Sequence, residues 1–283
     1  VQTMALFEIS LKLNNFPIDK AKMYLRKVQS FNDVKFEEYV SQQKYAIVNY
    51  HLQNNPFYKK IVANKTSFDD WNSLPVLTKT DLQIQLKDRL SDGFKLKDVF
   101  VNKTSGSTGN PFYFAKDKFT HALTWAIIEN RFNWHNLYGE KQARFYGEPK
   151  EIVAKSKEQL KDFLSNRSKF DVFDLSDEAF EKWIVKFAKN KFVYLNGYTT
   201  VIVAFAKYLN ANNIVLNEVC KTLKACVVTS EMCFENDKAT MEKAFGVPVI
   251  NEYGASELDI IAFQNKKRQW LVTTESLFVE VLD

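Results

Sequence analysis

A regular alternation of strands and helices after residue 176 constrains the fold of this chain more than any other feature. Ser176 precedes a helix with Asp177 and Glu178 in its first turn and lysines in its last, which complements the helix dipole. Gly246, followed by Pro248, predicts the end of a later helix. The intervening pattern predicts strands over 192–195, 223–228 and 247–250, with helices over about 200–209 and 237–245 between them. This β-α-β-α-β order predicts an α/β fold with a parallel sheet.

Ligands of parallel sheets bind at the carboxyl ends of the strands. Three predicted loops at that edge contain Tyr198, Ser230-Glu231 and residues 251–257. The third loop, Asn251-Glu252-Tyr253-Gly254-Ala255-Ser256-Glu257, places a glycine beside a hydroxyl and carboxylates. The sequence therefore predicts a ligand site at this edge of the sheet, although a strand-end turn capped by Ser256 would give the same pattern.

A second motif, Lys103-Thr104-Ser105-Gly106-Ser107-Thr108-Gly109-Asn110-Pro111, contains two of only eight glycines in the chain. Strands are predicted on both sides of it, over 98–103 and 112–115, and a helix over 120–133. Glycine lets backbone N–H groups turn toward an anion, and hydroxyls donate to phosphate oxygens. The motif predicts a flap that closes over phosphates, but a Ser/Thr/Gly loop taken alone is more often a plain surface hairpin.

Several common nucleotide and hydrolase motifs are missing from the sequence. The glycine loop lacks the lysine of a Walker A motif and the spacing of a dinucleotide-binding fingerprint, and the chain has no G-x-S-x-G nucleophile elbow. The usual kinase, dehydrogenase and hydrolase interpretations lose support accordingly.

The composition of the chain excludes further classes of function. Hydrophobic residues make up 46% of the chain, and the net charge of +5 comes from dispersed lysines without interleaved aromatics, so we expect no nucleic-acid partner. The longest uncharged run, 192–206, is shorter than the roughly 20 residues of a membrane span.

The three cysteines, Cys220, Cys226 and Cys233, form no CxxC pair, which favours a reducing cytoplasm over a disulfide framework or zinc ribbon. The oligomeric state is not determined by the sequence.

The first 98 residues are predicted to be a mostly helical segment. Apolar spacing favours helices over 20–28 and 36–52, Asn55-Pro56 ends the second, and Thr78-Lys79-Thr80-Asp81 predicts the start of a short helix. Residues 99–283 then form the α/β nucleotide- and acyl-binding region of the same large domain.

The two motifs, in this order, resemble the adenylate-forming superfamily of acyl-CoA ligases, luciferases and peptide-synthetase adenylation domains. Thr104-Ser105-Gly106-Ser107-Thr108-Gly109 is similar to its phosphate loop, and Glu252-Tyr253-Gly254-Ala255-Ser256-Glu257 to its Tyr-Gly-x-Thr/Ser-Glu motif. The phenylacetate–CoA ligase branch, with its capsular-polysaccharide CapK-type relatives, is the most similar. Its accessory motifs match Asn55-Pro56-Phe57-Tyr58, Leu74-Pro75-Val76-Leu77-Thr78-Lys79 and Asn196-Gly197-Tyr198-Thr199.

The resemblance implies the large N-terminal domain of an enzyme that activates a carboxylic acid as acyl-AMP with ATP and then transfers the acyl group to CoA or another nucleophile, in polysaccharide biosynthesis for the CapK-type relatives. It also implies residue roles. Thr104, Ser105, Gly106, Ser107, Thr108 and Gly109 would bind the β- and γ-phosphates. Tyr253 would stack on adenine, with Ser230, Glu231, Asn251, Glu252 and Gly254 around it. Ser256 would reach the α-phosphate, and Glu257 would hold Mg²⁺.

The sequence departs from the family pattern in two respects. The ribose-binding aspartate, the hinge and the C-terminal domain with its catalytic lysine would lie beyond residue 283, so we expect this domain to be missing from the chain. Some relatives have a Cys/His metal site after the Tyr-Gly motif, but residues 262–271 contain neither residue, and we predict no zinc.

The sequence offers three candidates for the lining of an acyl pocket. They are Trp134, Tyr146 and Tyr198, although aromatic residues are more often part of the core. Two other functions stay open: a nucleotide- or partner-binding module without catalysis, and a small-molecule kinase.

Overall fold

A computed structural model of the chain describes residues 2–62, 70–104, 111–147 and 162–281. The α-helices of the described residues are α1 (Gln2–Leu13), α2 (Ile18–Gln29), α3 (Asp33–Asn54), α4 (Pro56–Ile61), α5 (Lys118–Asn133), α6 (Asp177–Ala188), α7 (Thr199–Ala211), α8 (Leu216–Val219) and α9 (Glu235–Phe245). The strands are β1 (Phe100–Lys103), β2 (Tyr113–Lys116), β3 (Gln142–Phe145), β4 (Arg167–Lys169), β5 (Tyr194–Tyr198), β6 (Ala225–Thr229), β7 (Val249–Ala255), β8 (Asp259–Gln264) and β9 (Trp270–Val272). Within the described ranges, every helix is too short or too polar to cross a bilayer.

The main sheet has seven strands in the order β4-β3-β5-β6-β7-β8-β9. The first five are paired in parallel, and β8 pairs antiparallel with β9. Helices α7 and α9 connect β5, β6 and β7, so the predicted β-α-β-α-β run and the α/β class are confirmed.

The central strands of the sheet are buried on both faces. Alternate residues of β6 belong to opposite hydrophobic clusters: Cys226 and Val228 pack on one side, Ala225 and Val227 on the other. The first cluster contains seven buried phenylalanines, and each fully buried ring contributes roughly 1.5–3 kcal/mol. Because both faces are covered, the strand ends are the part of the sheet left for a ligand.

The helix starts and ends predicted from local sequence signals are confirmed at several positions. Ser176 Oγ accepts a hydrogen bond from Ala179 N at the start of α6, over 3.3 Å. Gly246 ends α9 in the left-handed conformation, with φ of 66°. The Asn55-Pro56 break is also confirmed, since Asn55 Oδ1 caps α4 by accepting from Tyr58 N.

Two strands are longer at their carboxyl ends than predicted. The segment 196–198, predicted as loop, completes β5, and 251–255 completes β7. Asn196 is tolerated inside the sheet because its amide is satisfied by neighbouring strands: Nδ2 donates to Val227 O over 3.1 Å, and Oδ1 accepts from Gln142 Nε2 over 2.9 Å. A Cβ atom at Gly197 would lie 2.1 Å from the carbonyl oxygen of Phe145.

The chain divides into two compact units that are not contiguous in sequence. The sheet unit comprises Val1–Asn14, Ile127–Ala255 and Ile260–Thr273. The hairpin unit comprises Asn15–Ala126, Ser256–Asp259 and Thr274–Asp283.

The hairpin unit contains α2 to α4, which confirms the helical N-terminal segment. The helix predicted to start near Thr78 is absent from its described residues. Thr78 N and Oγ1 instead donate to Asp81 Oδ2, which closes a turn, and the next helical element is a short 3-10 helix at Leu86–Arg89. Strands β1 and β2 pair antiparallel, with Lys103 opposite Tyr113, as predicted on either side of the glycine loop. Residues 105–110, and with them the predicted Ser105, Gly106, Ser107, Thr108 and Gly109, lie outside the described residues.

Candidate functional site

The loop after β6 is held by the amino end of α7. Glu231 accepts hydrogen bonds at Oε2 from Thr200 N and Thr200 Oγ1, both over 2.7 Å, and its carbonyl oxygen accepts from Thr199 Oγ1 over 3.2 Å. A carboxylate at a helix N-terminus is favoured by the helix dipole. Ser230, the first residue of this loop, has a φ of 70°. The loop predicted from Ser230-Glu231 is therefore fixed in position by contacts within the sheet unit.

The end of β7 is joined to β6 by a side-chain hydrogen bond. Thr229 Oγ1 donates to Glu252 Oε1 over 2.8 Å. The next residue, Tyr253, leaves 59% of its surface exposed although it belongs to a strand. An exposed aromatic ring at a strand end offers a flat surface on which a planar ligand can stack.

These residues surround a cavity of about 600 Å³, which we call the β6–β7 pocket. The six predicted nucleotide-binding residues of the sheet unit all contribute to its lining: Ser230, Glu231, Asn251, Glu252, Tyr253 and Gly254. The two loops therefore come together at one pocket, at the carboxyl ends of adjacent parallel strands.

The pocket also contains residues that the sequence did not single out as a site. They are Met232, Cys233, Glu235, Lys238, Ala262, Gln264 and Trp270. Trp270 is half-exposed and adds a second aromatic ring. A lysine on α9 and a glutamine on β8 carry no local signal of ligand binding, because only the tertiary fold places them at this pocket.

Of the three acyl-pocket candidates, two are neighbours. The rings of Tyr146 and Tyr198 have centroids 5.1 Å apart in an edge-to-face arrangement, and Tyr146 OH donates to Asn196 Oδ1 over 3.2 Å. Burial, helped by the charge of Glu252, raises the pKa of Tyr146. Trp134 instead packs against Phe263, with centroids 6.2 Å apart, in the cluster on the opposite face of the sheet from Tyr198.

Thr104 lies at the base of the β1–β2 hairpin. Its backbone N–H donates to Phe112 O, and its Oγ1 accepts from Phe112 N, both over 3.0 Å. The hydroxyl therefore closes the hairpin and keeps its own proton available for a further bond.

Ser256 and Glu257 form part of the turn between β7 and β8, within the hairpin unit. Ser256 is exposed, and Glu257 borders a cavity of about 630 Å³ in that unit together with His51, Arg89 and Lys116. Lys116 is paired with Asp259, which also accepts from Thr124 Oγ1 over 2.9 Å. Glu257 makes no hydrogen bond or ion pair with the described residues, so its carboxylate oxygens are available to a cation.

No group of three or more His, Cys, Asp or Glu side chains suited to a metal ion occurs in the part of the chain that the structure describes. The predicted absence of zinc stays a prediction.

Comparison with solved structures identifies the class of protein that has this fold. The chain is similar to 2-hydroxyisobutyryl-CoA ligase in an open conformation with 2-HIB-AMP and CoA, with a TM-score of 0.62 and 13% identity, covering 82% of this chain and 53% of the ligase. The same ligase in its thioesterification state gives a TM-score of 0.62 at 14% identity, covering 84% and 53%. The chain therefore shares the fold of this CoA ligase, as the resemblance of the two motifs to the adenylate-forming enzymes predicted.

By sequence, the chain is similar to Protein CapK of Staphylococcus aureus. It is 26% identical over 252 residues, which are 86% of this chain and 55% of the relative. No protein-family model matches the chain. The chain spans about half the length of both relatives.

Proposed function

We propose that the chain binds ATP and takes part in activating a carboxylic acid as an acyl-AMP. The β6–β7 pocket supports this most strongly, because an exposed Tyr253 ring borders a cavity that several polar and charged side chains line at the carboxyl ends of β6 and β7. In this proposal Tyr253 stacks on the adenine, while Ser230, Glu231, Asn251, Glu252 and Gly254 surround it. The base thus binds where parallel sheets place their ligands.

We propose that Ser256 contacts the α-phosphate and that Glu257 binds Mg²⁺. The free Glu257 carboxylate suits a hard cation, which would offset negative charge on the phosphates when bound. In the reaction, a substrate carboxylate oxygen bonds to the α-phosphorus as the bond to pyrophosphate breaks. Two anions meet in this step, so hydroxyl donors such as Ser256 and the glycine loop are needed to reduce their repulsion.

The acceptor and the biological setting are also part of the proposal. We propose that CoA or another nucleophile accepts the acyl group from the acyl-AMP, since the solved ligase binds 2-HIB-AMP and CoA. The similarity to Protein CapK supports a role in capsular polysaccharide biosynthesis. Three free cysteines suit a reducing cytoplasm.

Carboxylate-dependent exchange between ATP and labelled pyrophosphate tests the proposal. The chain is incubated with Mg²⁺-ATP and a panel of carboxylic acids, with a reaction lacking any acid as control. Exchange that depends on one acid supports adenylation. ATP binding without exchange favours the alternative of a nucleotide-binding module, and formation of ADP favours a small-molecule kinase.

A further inference from the structure

Lys238 is a buried cation in the wall of the β6–β7 pocket. The residue is only 6% exposed, although it lies on a helix whose other lysine, Lys243, is exposed. Its ammonium has one hydrogen bond among the described residues, to Gln264 Oε1 over 3.4 Å, and no ion pair with a described carboxylate. Burying an ammonium without a paired charge lowers the stability of a protein. Lys238 is therefore not explained by a contribution to packing, which leaves a role toward a ligand.

Gln264 is the partner that orients this group. It is also buried, and its Oε1 accepts a second hydrogen bond, from Asn251 N over 3.1 Å. Both lone pairs of that oxygen are then used, and within the described ranges Nε2 has no acceptor. Lys238 and Gln264 therefore both retain N–H groups that can donate to a molecule in the pocket.

The charges around the pocket decide which part of a ligand these donors meet. Glu231, Glu235 and Glu252 line the pocket, and Lys238 is the cation set against them. The excess of negative charge disfavours a phosphate at this position. A neutral planar group with acceptor atoms on its edge suits the pocket better, because Tyr253 and Trp270 offer it aromatic surfaces.

We propose that Lys238 and Gln264 recognise the base of a purine nucleotide by donating hydrogen bonds to an acceptor nitrogen on the edge of its ring. A purine presents such nitrogens as acceptors, and Lys and Gln side chains are the complementary donors. This inference rests on the proposed function, in which a nucleotide occupies the pocket, and it assigns the residues that select the base.

The first test measures the dissociation constant of Mg²⁺-ATP by calorimetry, together with the melting temperature of each protein without ligand. Lys238→Met removes the donor and the charge and keeps an unbranched side chain, and Lys243→Met is the matched control on the same helix. We expect about 10-fold or weaker binding for Lys238→Met and no change for the control. The melting temperature of Lys238→Met should be unchanged or higher, because an uncompensated buried charge has been removed.

The second test uses 1-deaza-, 3-deaza- and 7-deaza-ATP, each lacking one acceptor nitrogen. One analogue should bind the unaltered chain several-fold more weakly than ATP, and Lys238→Met should not distinguish that analogue from ATP. Unchanged ATP affinity in Lys238→Met, or a deaza effect of equal size in both proteins, would overturn the inference and leave the nucleotide site standing. Failure of the unaltered chain to bind ATP would overturn the inference and the proposed function together.

Discussion

The hydroxyl of Thr229 donates a hydrogen bond to the carboxylate of Glu252 over 2.8 Å, and this bond joins the last residue of β6 to the predicted ligand loop of β7. Thr229 is buried, with 4% of its surface exposed. The bond therefore lies at the boundary between the core of the sheet and the β6–β7 pocket.

Replacing Thr229 with valine tests this bond. Valine has nearly the same shape but no hydroxyl, so we expect the free energy of unfolding to fall by about 1–2 kcal/mol. Urea denaturation measures the change. Thr229→Ser keeps the hydroxyl and serves as control. Equal stability of the valine and wild-type proteins would show that the bond makes no net contribution.

The second prediction concerns the carboxylate that caps α7. Glu231→Gln removes the negative charge beside the helix N-terminus, where Thr200 N and Oγ1 now donate to it. We expect a loss of about 0.5–1 kcal/mol in stability, decreasing at high salt because the charge–dipole interaction is screened. Glu181→Gln, an exposed position in the middle of α6, is the control and should show neither effect. A salt-independent loss would contradict the explanation.

The third prediction concerns the ring of Tyr253. If it stacks on a base, Tyr253→Ala should weaken ATP binding by about 1–3 kcal/mol, and Tyr253→Phe should retain most of the affinity. Stability should change little in both variants because the residue is largely exposed. Calorimetric titration with ATP gives the affinities. Equal binding by the alanine and phenylalanine variants would argue against stacking.

The fourth prediction concerns Glu257. Glu257→Gln should raise the Mg²⁺ concentration needed for ATP binding and leave the unfolding free energy unchanged, because the carboxylate has no partner among the described residues. A titration of ATP binding against Mg²⁺, with urea denaturation in parallel, measures both quantities.

Asp259→Asn provides the contrast at a nearby position. Its carboxylate pairs with Lys116, whose side chain is 8% exposed, so this variant should lose about 1–3 kcal/mol of stability. If Glu257→Gln destabilises the protein as much as Asp259→Asn does, Glu257 has a structural role and not the proposed metal-binding one.

Local patterns in the sequence predicted the alternating helices and strands because caps, apolar spacing and Gly246 act over a few residues. They failed at Asn196, which belongs to a strand only because Gln142 and Val227 satisfy its amide from neighbouring strands. They failed likewise at Lys238, one of many dispersed lysines in the sequence, whose burial depends on Gln264. Six pocket residues were predicted from two loops, whereas the donors on α9 and β8 depend on tertiary packing that a single sequence does not display.

Gly197 determines how much sequence variation the centre of the sheet tolerates. A Cβ atom there would meet the backbone oxygen of Phe145 at 2.1 Å, and backbone cannot rotate away as a side chain can. Every other amino acid, including alanine, would force β3 and β5 apart near their carboxyl ends. Saturation mutagenesis scored by folding should therefore find that all nineteen substitutions at position 197 prevent folding. At the exposed residue Tyr253, most substitutions should still allow the protein to fold.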